Sequence, residues 1–227
     1  MNYGFIDEDQ PTLTAEDEPD RLFIQLYHMN IRDIELEGKD VLEVGSGRGG
    51  GADWIARTYS PESLIGLDYS AAAAKLCTRM YGRQKNLSFL EGNAMKLPFD
   101  DESFDVVYNV ESSHCYSDMP RFIREAHRVL RPGGHFAWTD FRHEKQMEAI
   151  REAFQSTGFE IITHADISAE VIAALDQISD DKQARIEKGT GRIIRRSFET
   201  FAGVRGTPVY ESFTKGELRY YRYLLRK

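Results

Sequence analysis

A short apolar run that leads through a glycine cluster into a helical segment limits the folds open to this chain. Residues 41–56 read VLEVGSGRGGGADWIA. Gly45, Gly47 and Gly50 fit the spacing G-x-G-x-x-G, in which glycines let the backbone approach a ligand at the positive end of a helix. The segment therefore predicts a strand, a ligand-binding turn and a helix, which is the opening unit of an α/β fold.

The remaining pattern alternates short apolar runs with helical stretches. Strands alternating with helices of ten or more residues predict a mostly parallel sheet with helices on both faces. The last apolar run is expected to form an edge or penultimate strand of this seven-stranded sheet. The predicted strands are DVLEV, SLIGLD, LSFLEG, FDVVYNV, GHFAWTD, GFEIITHAD and ELRYYRYLLRK, and the predicted helices lie in 21–34 and near 50–59, 70–80, 117–130, 144–157 and 168–200.

Charge and cysteine content restrict the partners and the compartment. The chain has 37 acidic and 29 basic residues and a net charge of −8, which argues against a nucleic-acid or anionic-membrane partner. Its 2 cysteines are too few for a disulfide framework or a cysteine-based metal site. No run of the sequence approaches the roughly 20 apolar residues that cross a bilayer. We therefore expect a soluble, cytoplasmic protein without a metal ion or stable membrane insertion.

An acidic residue on the first strand indicates which cofactor the turn binds. Asp68 follows Gly45 by roughly 20 residues, which by itself suggests NAD. Glu43, however, lies two residues before Gly45, where its carboxylate is expected to face the mouth of the turn. A pyrophosphate would meet like charge there, whereas S-adenosylmethionine carries an ammonium and a sulfonium group. The alternative is that backbone donors in the turn satisfy Glu43.

The loops after the next strands add polar groups suited to an adenosine cofactor. Asp68 is expected to accept hydrogen bonds from the ribose diol, Tyr69 to form a wall for the adenine, and Asn93 to contact the adenine edge. The predicted cofactor contacts are Glu43, Gly45, Ser46, Gly47, Asp68, Tyr69, Gly92, Asn93, Ala94, Asn109, Val110 and Glu111.

Four segments in this order resemble the motif series of class I S-adenosylmethionine-dependent methyltransferases, over residues 39–141 at least. They are VLEVGSGRGGG, LDYS, GNAMKLPFDDESFDVVYN and VLRPGG. The resemblance implies a Rossmann-like fold, S-adenosylmethionine as cofactor and methyl transfer as the reaction. Asn93 departs from the family, which usually has Asp at this position, but its side-chain oxygen is still a hydrogen-bond acceptor.

A closer resemblance extends over nearly the whole chain. The segments EDEPDRLFIQLYH, VESSHCYSDMPRFIREAHRVLRPGGHFAWTDFR and FAGVRGT…GELRYY are similar to phthiotriol and phenolphthiotriol dimycocerosate methyltransferases. This resemblance implies a hydrophobic acceptor of lipid or polyketide type. Residues 142–200 match this family only loosely. The resemblance therefore predicts the reaction better than it predicts the substrate. The chain also begins almost directly at NYGF, without the longer extension associated with that family.

The resemblance implies a single methyltransferase domain over residues 1–227. Residues 1–35 are interpreted as a lid and helix, 36–141 as the cofactor-binding core, and 142–227 as a substrate cover with the last strands. Tyr3 is a candidate lid residue, with a frayed terminus as the alternative. The sequence leaves open whether the chain forms a homodimer. The region proposed for the apolar acceptor wall contains Phe198, Phe201, Tyr210 and Phe213, and a basic spot contains Arg192, Arg195 and Arg196.

Two residues at neighbouring strand ends are candidates for acid–base chemistry. His114 follows the fourth strand and Asp140 closes the fifth, at the sheet edge where open α/β folds bind ligands. We expect His114 to be the general base and Asp140 to orient its ring, as in metal-free small-molecule O-methyltransferases. The alternatives are that His114 caps the following helix, and that Glu111 replaces it as base or contacts the cofactor.

These features predict an O-methyltransferase that acts on a hydroxyl of a hydrophobic small molecule. Methylation of nitrogen or carbon, as in quinone or sterol pathways, is the first alternative. A binding module without transfer and an NAD dehydrogenase are further alternatives.

Overall fold

Seven strands form one sheet in the computed structural model, which describes residues 2–186 and 205–227. The strands are β1 (Asp40–Val44), β2 (Ser63–Asp68), β3 (Leu87–Glu91), β4 (Phe104–Val110), β5 (Leu130–His143), β6 (Glu160–Asp166) and β7 (Leu218–Arg226). Their order is β3-β2-β1-β4-β5-β7-β6. The first five pair in parallel, whereas β7 runs antiparallel to both of its neighbours. The predicted fold class and the penultimate position of the last strand are confirmed.

Helices cover both faces of this sheet. They are α1 (Arg21–Ile31), α2 (Gly50–Tyr59), α3 (Ala71–Tyr81), α4 (Met119–Val129), α5 (Glu144–Thr157), α6 (Ser168–Ile186) and α7 (Pro208–Thr214). Buried side chains of α1, α2, α6 and α7 form one apolar cluster, and those of α4 and α5 form the other. The chain changes faces between β1 and β4, so a crevice opens at the carboxyl ends of these strands.

Side-chain alternation along β1 decides which face each residue serves. Leu42 and Val44 are buried in the cluster with α4 and α5, whereas Val41 is buried in the cluster with α1 and α2. Because successive strand residues point to opposite faces, Glu43 lies on the same side as Val41, beneath α1. This placement matters for the cofactor site described below.

A long bulge precedes the segment GHFAWTD, which was predicted as the fifth strand. Leu130 lies opposite Phe104, but His135 already lies opposite Val106. The extra residues include Pro132, which cannot donate a ladder hydrogen bond, and Gly133, whose φ is +79°. The strand therefore starts earlier than predicted but reaches the same carboxyl end, at Asp140 and beyond.

Two aromatic residues of the predicted substrate cover belong to the core. Phe213 and Tyr220 are 2% and 0% exposed, and both pack in the cluster with α1. The candidate wall residues Phe198 and Phe201 lie outside the described residues, as do the arginines of the basic spot. Among the described residues, no helix has the length and apolar character that crossing a membrane requires.

Candidate active site

A cavity of about 550 Å³ lies at the carboxyl ends of β1, β2 and β4. We call it the first cavity. All of the predicted cofactor contacts line it except Glu43 and Asn109, which lie behind its wall. The predicted base His114 also lines it. So do residues that the sequence did not indicate: Asn2, Tyr27, Val44, Leu67, Met95, Ser112, Cys115, Tyr116 and Ser117.

The glycine turn forms one wall of the first cavity. Gly45 has a φ of +84°, and a Cβ there would lie 2.2 Å from Ser112 Oγ. Gly47 has a φ of +54°, and no protein atom lies within 4 Å of the position that its Cβ would take. Gly49, with a φ of +75°, is the N-cap of α2, whereas Gly50 lies within the helix. Gly47 therefore leaves room for a ligand to approach the backbone closely.

Asp68 and Asn93 each make a contact that shapes the cavity. The Asp68 carboxylate accepts hydrogen bonds from the backbone N–H groups of Gly47 and Ser70, both at 2.8 Å. These bonds hold the glycine turn against the end of β2. Asn93 Oδ1 accepts from the Met95 N–H at 2.9 Å, and Tyr69 beside them is 79% exposed. The carboxylate of Asp68 keeps further acceptor capacity for hydroxyl donors.

Glu43 is buried beneath the turn and does not face its mouth as predicted. It is 0% exposed because β1 directs it under α1, where the Tyr27 hydroxyl donates to its Oε1 at 3.0 Å. Its Oε2 has no hydrogen-bond partner among the described residues. Burial raises the pKa of Glu43 to about 7. A buried carboxylate next to the turn suits a cationic group, such as the ammonium of S-adenosylmethionine.

Asn109 supports the turn from behind, which differs from its predicted contact with the cofactor. Its Nδ2 donates to Val44 O and to Ser112 Oγ, both at 2.7 Å, and the residue is fully buried. Ser46 Oγ, by contrast, is buried at the cavity without a partner in the described part of the chain. The site therefore leaves hydrogen-bonding capacity for a polar ligand at Glu43 and Ser46.

His114 and Asp140 are in direct contact. His114 Nδ1 lies 2.9 Å from Asp140 Oδ1, and the His114 ring stacks on Phe141 with a centroid distance of 4.4 Å. The Asp140 Oδ2 atom accepts from Ser113 Oγ at 2.7 Å and from the His114 backbone N–H at 2.9 Å. The cap of α4 is Asp118, not His114. The geometry thus allows Asp140 to orient the imidazole.

His114 and Asp140 each shift the pKa of the other. Burial disfavours the imidazolium, but the hydrogen bond and the charge of Asp140 together outweigh it, so the pKa of His114 is raised. Burial of Asp140 favours its neutral form, but the hydrogen bond from His114 and the charge of Arg142 leave its pKa lowered. Asp140 is therefore ionised, and His114 titrates above its ordinary value of 6.5.

A buried network that the sequence reasoning missed surrounds Asp140. Arg142 Nη1 lies 3.2 Å from Asp140 Oδ2, and Arg142 Nη2 donates to Ser113 Oγ at 2.8 Å. Trp138 Nε1 donates to the same hydroxyl oxygen at 2.8 Å. Trp138, Asp140 and Arg142 alternate along β5 and so share one face of the strand. This spacing is the signal that could have predicted the network.

The amino-terminal residues close one side of the first cavity. Glu111 has a φ of +46°, and its Oε2 accepts from the Tyr3 N–H at 2.8 Å and from the Tyr220 hydroxyl at 2.6 Å. Burial raises the pKa of Glu111 to about 8. The Tyr3 ring packs against Phe141 and Phe213, and Asn2 lines the cavity. The amino-terminal arm therefore lies over the first cavity, where a lid was predicted.

A second cavity, of about 670 Å³, adjoins the first. His114, Tyr116 and Ser117 line both. The second cavity is otherwise enclosed by the loop after β4, the start of α4, the end of β5 and the first turns of α5: Ser113, Met119, Pro120, Phe141, Arg142, His143, Lys145, Gln146, Ala149, Ile150 and Leu218. In the described ranges, no group of three or more His, Cys, Asp or Glu residues is placed to hold a metal ion.

Comparison with solved structures shows which folds share this arrangement. A cyclopropane synthase from Mycobacterium tuberculosis superposes with a TM-score of 0.78 at 14% identity, over 100% of this chain and 90% of that one. A geranyl diphosphate C-methyltransferase from Streptomyces coelicolor, solved with S-adenosyl-L-homocysteine, gives 0.71 at 18% identity, over 100% and 92%. At these identities the likeness shows the fold alone.

Sequence comparison is more specific. The pattern of the family described as "Methyltransferase domain" matches residues 42–138. The phthiotriol/phenolphthiotriol dimycocerosates methyltransferase of Mycobacterium tuberculosis is 41% identical over 100% of this chain and 84% of its own length. A fatty-acid O-methyltransferase of Mycolicibacterium smegmatis is 35% identical over 100% and 82%. The chain therefore belongs to the class I S-adenosylmethionine-dependent methyltransferases, within the family of the phthiotriol/phenolphthiotriol dimycocerosates methyltransferases.

Proposed function

We propose that this enzyme transfers a methyl group from S-adenosylmethionine to a hydroxyl of a hydrophobic small molecule of lipid or polyketide type, with His114 as general base. The observation that carries the proposal is the pair His114–Asp140 at the junction of the two cavities, with 2.9 Å between Nδ1 and Oδ1. The first cavity takes the cofactor, and the second adjoins it on the side of the base.

The first cavity holds the cofactor through groups of opposite or complementary polarity. When bound, S-adenosylmethionine supplies an electrophilic methyl group on a sulfonium. Ionised Glu43 attracts the cationic methionine end, and Asp68 accepts hydrogen bonds from the ribose hydroxyls. Tyr69 covers the adenine, and Gly47 lets the cofactor approach the backbone.

His114 removes the proton of the acceptor hydroxyl. Its Nδ1–H donates to Asp140, which leaves Nε2 as the proton acceptor. The resulting imidazolium is stabilised by the ionised carboxylate of Asp140, which Ser113 and Arg142 hold in place. A positioned base of this kind contributes roughly 10²–10⁴-fold in rate. A cofactor bound in the first cavity would supply the methyl group to this oxygen by in-line displacement, with S-adenosylhomocysteine as the leaving group.

The relatives support an oxygen acceptor on a lipid. One relative is named a phthiotriol/phenolphthiotriol dimycocerosates methyltransferase, and another a fatty-acid O-methyltransferase. The second name, together with the raised pKa of His114, favours one further candidate, which is methylation of a carboxylate. A carboxylate is already ionised and needs no base, so the imidazolium would instead bind it by charge.

The experiment is an acceptor screen followed by one substitution. A panel of long-chain alcohols, phenols and fatty acids is incubated with S-adenosylmethionine, and S-adenosylhomocysteine formation is measured. NMR of the product then locates the methyl group and separates transfer to hydroxyl, carboxyl, nitrogen or carbon. With the best acceptor and saturating S-adenosylmethionine, His114→Ala is expected to lower turnover by about 10²–10⁴-fold. Full turnover by His114→Ala would exclude His114 as the base.

A further inference from the structure

We propose that the methyl acceptor is an anionic amphiphile, which the second cavity binds with its apolar body inside and its anionic group at Lys145. This inference rests on the proposed function, because it takes the His114 side of the site as the place of transfer. It assigns a substrate class to a cavity distinct from the one that holds the cofactor.

The position of the second cavity makes it the acceptor site. His114, Tyr116 and Ser117 line both cavities, so a molecule in the second cavity reaches the same junction as one in the first. A third cavity, of about 690 Å³, also borders the glycine turn but lacks His114. Its charged lining is Glu16, Asp17, Asp20 and Asp53 with Arg48 and Arg57. The third cavity therefore lacks the His114–Asp140 pair and carries more acidic than basic groups.

The charged side chains that line the second cavity are all basic. They are His114, Arg142, His143 and Lys145, although the chain has a net charge of −8. Arg142 is 6% exposed and is paired with Asp140, and His143 Nδ1 bonds to the Glu217 carbonyl. A cleft lined by one sign of charge attracts ligands of the opposite sign.

Lys145 is the exposed cation of this lining that has no internal partner. No ion pair or hydrogen bond of its ammonium occurs within residues 2–186 and 205–227, whereas the adjacent Glu144 binds Tyr221 and Arg151 on the other side of α5. The Lys145 ammonium is therefore available to a carboxylate or phosphate at the mouth of the cavity. A flexible lysine binds such a group as a point charge.

The inner walls suit an acyl or aryl body. Met119, Phe141, Ile150 and Leu218 come from four different elements and present apolar surface to the cavity. Ile150 is 5% exposed and Phe141 stacks on the His114 ring, so the apolar surface extends up to the base. Mostly apolar walls with few polar groups are typical of sites that bind an amphiphile by its body and orient it by its end.

The test compares two ligands that differ only at the carboxyl group, which is ionised in one and esterified in the other. Binding of ricinoleic acid, a hydroxylated fatty acid, and of its methyl ester is measured by calorimetry with S-adenosylhomocysteine present. We expect the acid to bind about tenfold more tightly than the ester, and Lys145→Gln to remove this preference. Lys75→Gln, which removes an exposed lysine on α3, is the matched control and should retain it. Equal binding of acid and ester to the wild type, or a preference that survives in Lys145→Gln, would overturn the proposal.

A second substitution tests the location independently. Ala149 is exposed on α5 and lines the second cavity, so Ala149→Trp should fill the cavity and weaken ricinoleate binding at least tenfold without changing cofactor affinity. Glu148→Trp, on the same helix but outside the lining, is the control. Unchanged ricinoleate binding in Ala149→Trp would contradict the location. His114→Ala should lose turnover but retain the preference for the acid over the ester, because this preference depends on Lys145. Failure of the proposed base and failure of the proposed acceptor site therefore give different results.

Discussion

Arg142 Nη1 lies 3.2 Å from Asp140 Oδ2, and the other carboxylate oxygen of Asp140 bonds to the His114 ring. The Asp140 carboxylate thus contacts two cationic groups, the permanently charged Arg142 and the titratable His114. Because the charge of Arg142 lowers the pKa of His114 while Asp140 raises it, Arg142 limits how far the imidazole is raised. This relationship decides the pH at which His114 can act as a base.

Replacement of Arg142 should therefore move the pH dependence of turnover upward. A hydroxyl acceptor requires neutral His114, so kcat/KM should rise with pH through a pKa above 6.5 in the wild type. Arg142→Met removes the opposing charge, which raises this pKa further, whereas Arg142→Lys should restore most of the wild-type profile. The pH–rate profiles of the three proteins provide the measurement. An acidic limb at the same pH in Arg142→Met would show that Arg142 has only a packing role.

Glu43 should bind the cofactor at a cost to the stability of the free protein. Its folded pKa of about 7 lies above the unfolded value of 4.5, so the associated stability is complete below pH 4.5 and is lost as pH rises through 7. Glu43→Gln should then raise the unfolding free energy of the cofactor-free protein at pH 8, by on the order of 1–3 kcal/mol. The same variant should bind S-adenosylmethionine at least tenfold more weakly.

Denaturant unfolding and calorimetry measure the two effects of Glu43→Gln separately. Cofactor binding to the wild type should also release protons near pH 7, since a cation favours the ionised carboxylate. The heat of binding should accordingly depend on the ionisation enthalpy of the buffer. Normal cofactor affinity in Glu43→Gln would mean that the buried carboxylate serves the fold alone.

Gly47 should be required for the ligand rather than for the turn. Its φ is +54° and its Cβ position is open, so Gly47→Ala should cost only the backbone strain of about 1–2 kcal/mol while it obstructs the cofactor. Gly133→Ala, with a φ of +79° and an equally open Cβ position outside the cavity, carries similar strain. Melting temperatures should fall alike, and only Gly47→Ala should lose cofactor affinity. Equal affinity in the two variants would argue against a close approach of the cofactor at Gly47.

Gly4 should control how well the amino-terminal arm covers the cofactor. It has a φ of +82°, and a Cβ there would lie 3.2 Å from Leu22 Cβ and 3.3 Å from Ala174 Cβ. Gly4→Ala should therefore displace the arm and raise the cofactor Kd several-fold. Gly38→Ala, with a φ of +67° and nothing near its Cβ position, controls for strain. If both variants bind the cofactor like the wild type, the arm does not contribute to retention.

Local sequence features predicted most of the fold. The spans of β1, β2 and β4 coincide with the apolar runs, because buried parallel strands form continuous apolar segments between turn residues. The predicted orientation of Glu43 toward the mouth of the turn was wrong, because its burial depends on Tyr27 of α1, which is distant in sequence. The contact of Tyr3 with Glu111 is likewise a long-range contact without a local signal.

The candidate site was predictable where its residues follow strand ends. His114 and Asp140 could be paired because adjacent parallel strands end at one sheet edge. The sequence did not show that Gly49, and not Gly50, is the N-cap of α2. Five glycines lie between residues 45 and 51, and only the backbone angles distinguish them. The second cavity depends on packing between α4, α5 and β7, which no single segment encodes.

The most direct test of the central claim is the pH dependence of single-turnover methyl transfer in the wild type and in Asp140→Asn. Loss of the Asp140 charge removes the interactions that raise the pKa of His114, so the acidic limb should move to lower pH while the plateau rate falls about 10²-fold. Cofactor affinity should stay the same, because Asp140 does not line the first cavity. An acidic limb that stays at the same pH in Asp140→Asn would contradict the assignment of His114 as the base that Asp140 orients.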